Sequence, residues 1–102
     1  MRPQVIKVSG VAMSAWIPVD YKQSPFSVGL GAVVSGTITY DIEHTFDDVF
    51  TAGVTPVAFK HSVMVSQSAN KDGNYAFPIR AIRVNNTAGT GDVTLTILQG
   101  LR

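Results

Sequence analysis

Thr37-Ile38-Thr39-Tyr40-Asp41-Ile42-Glu43-His44-Thr45-Phe46 is the stretch that decides the fold class of this chain. Ile38, Tyr40, Ile42, His44 and Phe46 take every second position, and Thr37, Thr39, Asp41, Glu43 and Thr45 take the others. Successive side chains of a strand point to opposite faces, so this alternation predicts a β-strand with one face inward and a threonine-lined face outward. The pattern returns near the C-terminus, where Val93, Leu95 and Ile97 alternate with Asp92, Thr94 and Thr96. Composition agrees. Val, Ile and Thr supply 14, 7 and 9 residues, against four Leu and one Glu, and β-branched side chains fit a pleated sheet better than a helix.

Further strands are read over residues 4–8, 15–21, 26–34, 56–66 and 75–84. Pro18 and Pro78 cannot donate to a ladder, which marks edges or strand starts. Asp72-Gly73 suits a tight turn, residues 85–92 are rich in turn formers and predict a hairpin loop between the last two strands, and residues 47–50 suit one helical turn. The expectation is an all-β chain: a single compact β-sandwich or jelly-roll-like domain over residues 1–102, with about seven or eight short antiparallel strands.

Charge narrows the function classes. Eight Lys+Arg against seven Asp+Glu give a net charge of +1, and charged residues make up 15%, where soluble domains carry about 25%. Nucleic acid needs clustered Lys/Arg, so it is not an expected partner. The absence of cysteine excludes disulfides, thiolate metal sites and a cysteine nucleophile. No apolar run reaches the roughly 18 residues of a membrane helix, and Ser9, Gly10 and Ser14 break the apolar stretch that a signal peptide would need. Neither a membrane nor secretion is expected.

Possible chemistry is sparse. Asp41, Glu43, His44, Asp47 and Asp48 form the densest polar cluster, but strand geometry turns His44 away from Asp41 and Glu43, so no metal site is expected. Asp47 and Asp48 suit a turn, where carboxylates accept backbone N–H groups. His44 and His61 sit in apolar stripes and are read as hydrogen-bonded core histidines rather than a pH switch. Gly89-Thr90-Gly91 lacks the Lys-Ser/Thr ending of a phosphate loop and leads into a strand. Asn85-Asn86-Thr87 fits a glycosylation sequon with nothing else to support that pathway. Arg80 and Arg83 point to opposite faces. The aromatic residues are read mainly as core, since each strand of a sandwich contributes inward rings. No cofactor, catalytic group or small-molecule substrate is implied.

Two segments carry a resemblance. One is Ser35-Gly36-Thr37-Ile38-Thr39-Tyr40-Asp41-Ile42-Glu43-His44-Thr45-Phe46-Asp47-Asp48; the other runs from Asp72-Gly73-Asn74-Tyr75 through Arg80-Ala81-Ile82-Arg83-Val84-Asn85 to Val93-Thr94-Leu95-Thr96-Ile97. Together they resemble small virion structural proteins of tailed bacteriophages, and are similar to capsid decoration or cement proteins. The resemblance covers about half the chain and carries over no catalytic or binding residue. It implies a non-enzymatic protein of the virion, made in the bacterial host cytoplasm, which forms homo-oligomers and binds the major capsid protein or another virion protein. A head-tail joining or tail component is the alternative within the particle. A carbohydrate-binding module with Trp16, Tyr21 or Tyr75 as stacking platform is the alternative of another class. Expected contacts are the N-terminal segment with Arg2 and Gln4, the loops carrying Asp47, Asp48, Asn85 and Asn86, and the threonine faces with Thr37, Thr39, Thr94 and Thr96.

Overall fold

The computed structural model describes residues 4–19, 27–50, 53 and 55–99. They form eight strands and no helix: β1 (Gln4–Ser9), β2 (Ile17–Pro18), β3 (Val28–Ser35), β4 (Ile38–Thr45), β5 (Phe59–Lys60), β6 (Lys71–Tyr75), β7 (Ala81–Gly89) and β8 (Asp92–Gln99). Two four-stranded antiparallel sheets result, ordered β1-β8-β3-β6 and β2-β7-β4-β5. The all-β sandwich read from the alternation is the fold observed.

The core lies between the sheets. Ile38, Tyr40 and Ile42 of β4, Ile82 and Val84 of β7, Val28 and Leu30 of β3, and Val93, Leu95 and Ile97 of β8 are all buried. Each strand offers every second residue to this layer, as the period-2 pattern requires. Pro18 sits in the edge strand β2, where a missing N–H costs no ladder bond.

Consecutive long strands do not form hairpins here. β3 and β4 lie in different sheets, and so do β7 and β8. The expected hairpin over residues 85–92 is therefore corrected: β7 runs to Gly89, and only Thr90 and Gly91 carry the chain across to the other sheet. The two crossings pack on one another, with the Thr90 and Gly91 N–H groups both donating to the Thr37 carbonyl at 3.0 and 2.8 Å. A Cβ on Gly89 or Gly91 would collide with the backbone of residues 35–38, so the glycines serve this close approach.

Both flanks of the sandwich are closed by the chain itself. After β1, the chain bends at Gly10 and runs along β7, with Asn86 N–H donating to Ala12 O and Ser14 N–H to Val84 O, both at 2.8 Å. On the other flank, residues 61–67 bond to the free edge of β4 through Ile42 and Tyr40, and drive Met64 into the core. Met64 packs where a Cβ on Gly73 would sit.

That closure explains several departures. Asp72-Gly73 lies inside β6 rather than at a turn. The strand expected over 56–66 is reduced to Phe59–Lys60 because residues 61–67 leave the ladder to wrap the flank, and the one expected over 75–84 is interrupted at 76–80, where the chain passes from β6 in the first sheet to β7 in the second. Residues 47–50 form bends in place of a helical turn, with Asp48 Oδ1 accepting the Phe50 N–H at 2.9 Å.

Candidate functional site

The threonine-lined outer face expected of β4 is not an open surface. Asp41, Glu43 and Thr45 are buried there. β4 is central, flanked by β7 and β5, and the side chains of those neighbours and the 61–67 segment cover it. Asp41 accepts the Ser66 N–H at 2.7 Å and pairs with Lys60 at 3.4 Å. Glu43 pairs with Arg83 at 2.6 Å and accepts from Asn85 Nδ2 at 3.2 Å. The Arg83 guanidinium in turn lies 4.4 Å from the centroid of the Trp16 ring. This is a self-satisfied polar layer, in which each buried carboxylate has a cation and a hydrogen-bond donor.

The inward stripe of β4 leads instead to a cluster of rings at the end where that strand stops. His44 is its centre, with ring centroids 5.5 Å from Phe46, 5.9 Å from Phe59, 4.9 Å from Tyr75 and 5.8 Å from Phe77. Sheet pairing brings them together: His44 lies opposite Phe59 of β5, Phe46 follows β4, and Phe77 follows β6. Tyr75 is wholly buried and sits between the two histidines, its ring 4.9 Å from His61 as well. Its hydroxyl is 2.8 Å from His44 Nδ1. His61 Nδ1 accepts the N–H groups of Val63 and Met64 at 3.0 and 3.1 Å, so its proton sits on Nε2, 2.9 Å from the Asn74 carbonyl. Both are hydrogen-bonded core histidines, as the sequence indicated.

Burial first, and His61 second, hold the His44 imidazole below its ordinary pKa. Burial also pushes the Tyr75 phenol upward, with Glu43 adding to the shift. Both groups are neutral at pH 7. The outer rings are not sealed: Phe46, Phe59 and Phe77 are 48%, 49% and 49% exposed. Together they make an uncharged aromatic plate at one end of the sandwich.

The expected contact residues are dispersed. Thr94 and Thr96 lie half-buried on the outer face of the first sheet, and Gln4 is exposed on its β1 edge. Thr39 and Asn85 are on the second sheet, and Thr37 is exposed at the crossing. Asp47 and Asp48 lie beside the aromatic end, where Asp47 Oδ2 accepts the Val57 N–H at 2.7 Å, in the turn role read for them. Asn86 is interior, 1% exposed, and is corrected from contact to core residue. Arg2 lies outside the described residues, as does Tyr21 of the supposed sugar platform. Tyr75 is likewise core and offers no open platform, whereas Trp16 is half-buried with the Arg83 guanidinium over its ring.

Reading the aromatics as core missed this plate; among the described ones, only Tyr40 and Tyr75 are buried. Phe46, Phe59 and Phe77 come from three segments, and only the pairing of β4 with β5 and the approach of β6 unite them. Among the described residues, no group of three or more His, Asp or Glu is placed to hold a metal ion. No family model matches the sequence, and no curated protein is detectably similar to it.

Proposed function

We propose that this chain is a non-enzymatic structural protein of a tailed-bacteriophage particle, a decoration or cement protein that binds the capsid shell and stabilises it. The phage setting, and with it synthesis in the host cytoplasm and residence in the virion, rests on the resemblance of residues 35–48 and 72–97. The aromatic plate carries the binding part. Phenylalanines half-exposed in one cluster, with neutral groups behind them, suit a protein contact, since interface cores are aromatic and depleted of charge.

The magnitude fits a repetitive partner. Half of three phenylalanine side chains is roughly 300 Å² of apolar surface, or about 7 kcal/mol of gross transfer energy. Association costs of about 4–15 kcal/mol consume much of that. A single plate therefore binds weakly, whereas linked copies on a lattice of identical sites gain by avidity.

Co-sedimentation tests this reading. The purified chain is expected to pellet with empty shells assembled from the major capsid protein of its own particle, and Phe46→Ser/Phe77→Ser to stay in the supernatant while remaining folded. Retained binding by that variant would refute the role of the plate. Binding to purified tails instead of shells would make the chain a tail or joining component. Phe-dependent binding to a glycan array, with none to shells, would make it a carbohydrate-binding module.

A further inference from the structure

A second surface of the molecule is unpartnered, and its features match one another. The outer face of the first sheet carries exposed Val5, Val33 and Leu98. Register places Val5, Thr96, Gly31 and Asp72 in one row across β1, β8, β3 and β6, with Leu98 and Gly29 in the next row on β8 and β3. Thr96 and Leu98 stand as a ridge beside a trough floored by Gly29 and Gly31. The trough holds two adjoining depressions of about 350 and 320 Å³.

These two glycines have no internal reason to be glycine. Neither has a positive φ, a Cβ on Gly31 would meet nothing within 4 Å, and one on Gly29 would make only an ordinary contact at 3.8 Å to Leu98 O. Glycine inside a strand weakens it, and often marks a close approach from outside. Charge is arranged across the same face. Lys7 is on the β1 edge and Asp72 on the opposite, β6 edge. Asp72 makes no ion pair or hydrogen bond with any described residue, and the pair of Lys7 with Asp92 is exposed, at 3.5 Å.

We infer that this face is where two copies of the chain meet, packed sheet on sheet about a two-fold axis running along the strands. That operation lays β8 over β3 of the second copy, ridge into trough, and β1 over β6. Thr96 then meets Gly31 and Leu98 meets Gly29, twice over, which is the self-complementarity an isologous interface requires. Lys7 lies two residues, about 7 Å, along the strand from the row that contains Asp72, within reach of a lysine side chain. Opposite charges thus meet at both margins. The 27 residues of β1, β8, β3 and β6, at about 3.3 Å per residue and 4.8 Å between strands, give about 430 Å² of plan area per copy, a little under the lower bound of about 1,000 Å² in total for a stable specific interface. The expected dimer is weak, with a dissociation constant in the micromolar range. It does not depend on the shell-binding reading, and supplies the linked copies that reading uses.

Sedimentation equilibrium up to about 0.5 mM, without any shell, tests it. The native chain is expected to dimerise. Gly31→Val fills the trough with a good strand residue and is expected to raise the dissociation constant at least tenfold without lowering the melting temperature. Lys7→Glu and Asp72→Lys are each expected to weaken the dimer, and the double reversal to restore it to within about twofold; this holds as a test even if Gly31→Val misfolds. Phe46→Ser/Phe77→Ser is expected to dimerise normally, which separates this surface from the aromatic plate. A chain that stays monomeric, a dimer indifferent to both Gly31→Val and the charge reversals, or one abolished by the Phe substitutions would overturn the inference.

Discussion

Asn86 is the residue whose replacement most directly tests the account of how this sandwich closes. Its side chain points inward from β7, and its Nδ2 donates to Val8 O at 3.0 Å and Gly10 O at 2.9 Å. Those two carbonyls lie where the chain leaves β1 and crosses toward the second sheet. Asn86→Leu keeps the number and branching of the side-chain heavy atoms and removes both donors. Orphaning the carbonyl of buried Val8 costs about 1–3 kcal/mol, and the partly exposed Gly10 carbonyl less than that. One gain offsets part of the loss, because Asn86 Oδ1 is itself buried without a partner. The net expectation is about 2 kcal/mol, near 10 °C in melting temperature for a chain of this length.

Asn86→Asp sharpens the test. It has the same shape, but at neutral pH presents only acceptors to two carbonyl oxygens in a buried setting. It is expected to exceed the leucine variant, at about 3 kcal/mol or more, and to recover as acid protonates the new carboxyl. Urea denaturation can follow the single tryptophan, Trp16, whose ring lies against Arg83 on the second sheet. A leucine variant within 0.5 kcal/mol of the native chain, or an aspartate variant no worse than leucine, would refute the bridging role.

Other outcomes follow from the same contacts. His44 has a lowered folded pKa, so its stabilising contribution is complete above about pH 6.5 and lost as pH falls from there through the folded value; urea titrations should give a slope of at most about 1.4 kcal/mol per pH unit from this group, absent in His44→Gln. Arg83→Ala leaves buried Glu43 without its cation and uncovers Trp16, and is expected to cost about 3 kcal/mol, whereas Lys60→Ala removes an exposed partner of Asp41 and should cost about 1 kcal/mol or less in the same assay. Gly89→Ala combines a φ of +103° with a collision against Thr37 and should prevent stable folding, while Gly31→Ala should melt no lower than the native chain.

The alternation at residues 37–46 and 92–97 was legible because these strands are long and bury one face completely. Sheet membership was not. A hairpin and a sheet-to-sheet crossing both need a short, glycine-rich connection, so Gly89-Thr90-Gly91 reads the same either way until Thr37 is found against it. The fate of Asp41 and Glu43 was hidden for a related reason. Their face is polar by sequence, and only the packing of Ser66, Lys60 and Arg83 shows that it is covered. Tyr75 and Phe77 are two residues apart with equal apolar character, yet one is core and the other half-exposed, because β6 ends between them.

The shortage of charge acquires a location from these contacts. Five of the six described acidic residues are engaged inside the chain: Asp41 and Glu43 in the buried layer, Asp47 and Asp48 in their loop, and Asp92 with Lys7. A protein that needed charge only for solubility would leave carboxylates scattered over open faces, where ions are well hydrated. Here they are drawn into holding strands and turns, so that the aromatic end presents phenyl rings and the first-sheet face carries its charges toward its margins. Burying neutral hydroxyls, glycine backbone and phenyl rings against another surface strips away little ionic hydration, so the desolvation penalty that makes charged faces poor interfaces is small at both places. Asp72, without a partner among the described residues, stands at the margin of one of them, where a single charge gives orientation and exacts little desolvation.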